Sequence, residues 1–177
     1  MKSFNKILAC LLINLLLWFI QTEINNLFSA YGVWFFWGSL YFLFAGCYFD
    51  FETGIIITFL TAIILSAGNS FLFKVLPPLF ILGHIMTFLL RNRIQREHNL
   101  HLVLFALITN CMLFFIMSLA SLGSGGSFGR YFFSAVLSAA ISSAVIFVIG
   151  GWFFTLQKSF FNAMGREWKS DPEKGSA

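Results

Sequence analysis

The chain is a succession of apolar runs with almost no charge inside them. Charges, glycines and prolines mark off six, at about 6–21, 27–48, 53–68, 76–91, 99–120 and 131–156, before a short polar tail over 161–177. About a quarter of the residues of a water-facing domain are charged. Here 10% are charged and 59% hydrophobic, too little polar surface for a soluble globule of 177 residues. The solvent that suits such a chain is a bilayer, where helices satisfy their own backbone groups. The expected fold class is therefore an all-α integral membrane protein, one bundle of six transmembrane helices. Runs two, five and six reach the roughly 20 residues that a crossing needs. Runs one, three and four are short and call for flanking residues or a thin local bilayer. The third is the weakest and has a re-entrant alternative. Pro77 and Pro78 are expected in the first turn of the fourth helix, where the missing N–H costs nothing, with "SFLFKVL" before them as a separate interfacial piece.

Charge placement supports an even count. With six crossings and the N-terminus inside, Lys2, Lys6, Arg91, Arg93, Arg96, Lys158, Arg166, Lys169 and Lys174 share one side, and only Lys74 and Arg130 fall on the other. Lys and Arg in short loops set orientation in this way. The cluster "RNRIQREHNLHL" at 91–102 is then the cytoplasmic turn between runs four and five, with Arg91, Arg93 and Arg96 offered to anionic lipid or a cytoplasmic partner. The net charge of +4 is too scattered to mark a nucleic-acid surface. The N-terminal stretch has the basic start and apolar centre of a signal peptide without a good cleavage site, and reads as a retained first helix. Trp18, Trp34, Trp37 and Trp152 fall at expected interfacial positions.

Chemistry-bearing residues are sparse. His84, inside run four, is either a ligand or proton-relay group or an interhelical hydrogen bonder, and the second reading is preferred. Asn14 and Asn110 read as polar contacts between helices. Ser134, Ser138 and Ser142 recur every fourth residue in run six, a spacing that suits either a partner's helix or packing inside the bundle. Asp50 and Glu52 read as an exposed turn, and His98 and His101 as interfacial histidines. Cys10, Cys47 and Cys111 have no metal or disulfide spacing. No triad, zinc motif, phosphate loop or dinucleotide fingerprint occurs, so neither enzyme nor cofactor is expected.

The layout resembles the rod shape-determining MreD family, most clearly over about 76–160. A fourth run ending in a basic cluster before a polar break is present as "TFLLRNRIQREHNLHLVLFALITN". A sixth run opening with Arg and small residues, "GRYFFSAVLSAAISSAV", and a basic end, "QKSFFNAMGREWK", are also similar. The first half departs from the pattern: Ser66 stands about where the family has Asp, and Ser138 where Asn is common. The resemblance implies a non-enzymatic inner-membrane subunit of the bacterial elongation complex. Its implied partners are an MreC-like protein, a cell-wall transpeptidase and a RodA-type glycosyltransferase. It also implies a fold similar to the substrate-binding component of energy-coupling-factor transporters, so the alternative function is a vitamin-binding transporter subunit.

Overall fold

The computed structural model describes residues 3–31, 33–67, 69–93, 99–121 and 128–163, and these contain no strand. Among the described residues six α-helices follow in order: α1 Ser3–Phe28, α2 Gly38–Tyr48, α3 Phe51–Ser66, α4 Ser70–Leu90, α5 Asn99–Ser121 and α6 Phe128–Ala163. A 3-10 turn, Ser29–Tyr31, ends the first of them. α1, α4, α5 and α6 are each long and apolar enough to cross a membrane, while α2 and α3 are shorter apolar helices. The chain is an all-α, multi-pass membrane protein.

α2 lies at the centre. All eleven of its residues are buried, and it packs against α3, α4, α5 and α6. α3 also packs on α4 and α1, and α5 pairs with α6. The long helices turn large apolar side chains outward, among them Phe4, Leu89, Ile108 and Val148. In water such a surface would aggregate; in lipid it is the ordinary exterior. Gly46 of α2 and Gly54 of α3 permit the close approach of α4. A Cβ on Gly46 would stand 2.7 Å from Thr87 Cγ2, and one on Gly54 would stand 3.0 Å from His84 Nε2.

Two expectations need correction. The run 27–48 is not one helix: α1 continues to Phe28, residues 33–37 are non-helical, and only Gly38–Tyr48 is helical. The reason is that five polar side chains from other helices hold the backbone open, as described below. The prolines, too, are not at a helix start. Asn69 caps α4, its side-chain oxygen accepting the N–H groups of Phe71 and Leu72 at 3.1 Å each. This cap starts the helix at Ser70 and places Pro77 and Pro78 inside it. "SFLFKVL" is the first part of α4 rather than a separate piece. The expected bounds of runs three and five agree closely with α3 and α5, whereas α1 and α6 are longer than expected.

One end of the bundle is defined by contacts between a helix end and charged side chains. Arg91, the C-cap of α4, donates from Nη1 to the Phe49 carbonyl at 3.4 Å and lies 3.9 Å from the centre of the Phe88 ring. Lys158 of α6 stands 5.5 Å over the Tyr48 ring. Two cations thus collect where α2 ends, the negative pole of its helix dipole. Asp50 caps α3 at this end, accepting the Thr53 N–H at 3.1 Å and its hydroxyl at 2.6 Å. The Thr53 hydroxyl in particular holds the Asp50 carboxyl below its ordinary range, helped by the nearby charge of Lys6 and opposed by partial burial.

Candidate functional site

Residues 33–37, "VWFFW", enter the bundle from the end opposite Arg91 and lead directly into α2. Along an extended chain, successive backbone groups point to opposite sides and repeat about every 6.6 Å. On a helix, positions i and i+4 lie on one face about 6 Å apart. Two flanking helices match that repeat. On one side, the N–H groups of Trp34 and Phe36 donate to the hydroxyls of Ser138 and Ser142 of α6, both at 3.1 Å. On the other side, the N–H groups of Phe35 and Trp37 donate to Asn25 Oδ1 at 2.6 Å and Gln21 Oε1 at 3.2 Å, both on α1. Serines four apart thus serve alternate residues, and a glutamine and asparagine four apart serve the residues between.

The carbonyls are treated similarly. Asn25 Nδ2 returns a bond to the Phe35 carbonyl at 3.0 Å, so one amide holds both polar groups of that residue. Asn110 Nδ2 of α5 donates to the Phe36 carbonyl at 3.0 Å, and its Oδ1 stands 3.5 Å from the Ser39 N–H. The Tyr41 hydroxyl donates to Gln21 Oε1 at 3.0 Å, tying the first turn of α2 to the same lattice. An unpaired peptide group costs several kcal/mol in hydrocarbon, so a non-helical segment there requires such partners.

The other polar residues singled out from the sequence also lie between helices. Asn14 Nδ2 donates to the Tyr41 carbonyl and to Thr61 Oγ1, each at 2.9 Å, joining α1, α2 and α3; its Oδ1 has no partner among the described residues. His84 is wholly buried against Gly54, with Nδ1 3.4 Å from Thr58 Oγ1 and Nε2 without a hydrogen-bond partner among the described residues. The rings of Phe51 and Phe88 flank it. No group of three metal-ligating side chains occurs among the described residues. Ser138 and Ser142 face the chain's own interior, and Ser134 is half-buried one turn before them. Arg93 is exposed, and Arg96 and His98 lie outside the described residues.

Gln21 and Asn25 are the members that sequence reasoning missed. Both sit in "QTEINN", which reads as a polar break closing the first run. The available signal was their four-residue spacing, the same as that of Ser138 and Ser142.

At the end of the bundle away from Arg91 is a cavity of about 350 Å³, between the start of α4, the late turns of α5 and the early turns of α6. Trp34 and Ser138, where the extended segment begins, belong to its wall. Comparisons with protein families, curated proteins and solved structures give no match.

Proposed function

We propose that this chain is a non-enzymatic packing subunit of a bacterial inner-membrane assembly, and specifically an MreD-like member of the cell-elongation complex. What supports a packing role is the lattice around residues 33–37. It pairs the N–H groups of residues 34–37 and the carbonyls of Phe35 and Phe36 with side chains of α1, α5 and α6, as expected of a packing keystone, while the buried Trp37 Nε1 has no partner among the described residues. The identity of the assembly rests on the resemblance of 76–160 to the rod-shape family. On that reading the chain links an MreC-like protein and the MreB filament to a transpeptidase and a RodA-type glycosyltransferase by contacts between helices.

The topology belongs to the same proposal. Eleven helical residues at about 1.5 Å span about 17 Å, roughly half of a hydrocarbon core of about 30 Å, and the non-helical residues 33–37 lengthen the path. The extended segment and α2 then make one crossing between them, giving six in total with both termini cytoplasmic. Arg91, Arg93 and Arg96 lie on the cytoplasmic side, each worth about 1 kcal/mol beside anionic lipid. A reporter fused within 91–98 that appeared outside the cell would overturn this arrangement.

The cavity favours a second reading, a substrate-binding subunit of an energy-coupling-factor transporter. One experiment separates the two. The tagged protein is crosslinked in native membranes and its partners are identified by mass spectrometry. An MreC-like protein and a transpeptidase are expected; recovery of a coupling ATPase module in their place would reject the shape-complex assignment.

A further inference from the structure

The cavity has a chemistry that the packing role does not use. Its walls include parts of α4, α5 and α6, and no charged side chain lines it among the described residues. At about 350 Å³ it lies at the lower end of the range of small-molecule sites. Trp34 supplies its aromatic surface and is held in place: its N–H is bonded to Ser138, Phe36 stacks on the indole at 5.4 Å and 12°, and Phe114 meets it edge-on at 6.1 Å. Phe36 covers only one indole face, and Trp34 keeps 38% of its surface exposed. Polar groups stand around this platform. The Asn69 oxygen is committed to the first two N–H groups of α4, so the side chain is oriented and its Nδ2 is the group left to donate. Ser118 and Ser134 add hydroxyls to the wall, and Ala135 keeps the α6 side shallow.

We propose that this cavity binds a small, flat ring compound bearing a carbonyl oxygen. Flatness follows from the fixed indole surface, on which a ring stacks with offset or edge-on geometry. The acceptor follows from the oriented Asn69 donor. Entry is from the aqueous end, where Asn69 lies in the turn between α3 and α4. The inference requires the fold only and is independent of which assembly the chain joins.

Coumarin is the probe, measured by equilibrium dialysis of the full chain in lipid nanodiscs against protein-free nanodiscs. Saturable binding of one coumarin per chain is expected. Naphthalene, which has no acceptor, binds about tenfold more weakly, the worth of one hydrogen bond. Ala135→Phe fills the cavity and abolishes binding. Asn69→Asp preserves the helix cap but exchanges the donor for an acceptor, and weakens binding by at least about tenfold. If Ala135→Phe fails to fold, Asn69→Asp decides. No coumarin uptake above the blank up to its solubility limit, or uptake unchanged by Asn69→Asp, overturns the proposal.

Discussion

Residues 33–48 and helix α6 meet the same demand in opposite ways. Both pair backbone polar groups in an apolar interior. α6 does so with its own i to i−4 ladder along 36 residues, so its outer side chains are free to face lipid, and Val148 and Trp152 are 77% and 67% exposed. Residues 33–37 have no ladder and borrow partners from α1, α5 and α6. The helix that follows is buried at every position. The self-sufficient element tolerates surface change, while the dependent one makes distant side chains essential.

Truncating a shared partner should therefore cost far more than changing an exposed one. Asn110→Leu removes the donor to Phe36 and the acceptor facing Ser39. At about 1–3 kcal/mol for each of the two buried groups left unpaired, the loss is about 2–6 kcal/mol of unfolding free energy in mixed detergent micelles. The paired control is Val148→Ala on α6, expected within about 0.5 kcal/mol. Equal effects at the two sites would erase the contrast.

The contrast is also tested where α3 and α4 approach most closely. Gly54→Val drives a branched side chain into His84 and should cost about 1–3 kcal/mol. If His84 is a packing residue, His84→Ala makes room, and the double variant recovers part of that loss; a double-mutant cycle reads the coupling directly. Additive losses would show that the two residues do not oppose each other. Ser142→Ala follows in size, at about 1–2 kcal/mol, because one N–H, that of Phe36, loses its acceptor. Ser142→Thr restores the hydroxyl and is expected to recover most of it.

These residues also explain what was legible in the sequence. The all-α membrane class follows from apolar runs, a local property, and the bounds of α3 and α5 follow from the polar residues beside them. His84, Asn14 and Asn110 stand out because polar side chains inside apolar runs need partners, and the structure puts all three between helices. The interruption at 33–37 was not legible. "VWFFW" has nothing in it that opposes a helix; the alternative conformation is held by Gln21 and Asn25 before it and by Ser138 and Ser142 more than a hundred residues later. Run-by-run reading sees each of these as a local break or a small-residue row. Only matching the two four-residue spacings to a two-residue repeat would connect them. The prolines mislead for a related reason. Their positional preference points to a helix start, but the Asn69 cap, which is stronger local information, lies seven residues earlier than expected for such a start.

The smallest effect is expected at the basic end, where the stabilising groups are exposed and independent of the lattice. Asp50→Ala removes the cap of α3 and should cost about 1 kcal/mol. Because the folded carboxyl titrates below its ordinary range, it is the ionised form that stabilises. That contribution is fully present above the unfolded carboxyl value of about 3.9 and is lost as pH falls through the lower folded value. Asp50→Asn retains a capping oxygen that does not titrate. The stability difference between the wild-type chain and Asp50→Asn should therefore be level from neutral pH down to about pH 5 and shrink below about pH 4. A difference that stayed constant into the acid range would mean that the carboxylate charge adds nothing to the hydrogen bonds with Thr53. The acid sensitivity at this end would then have to come from another group.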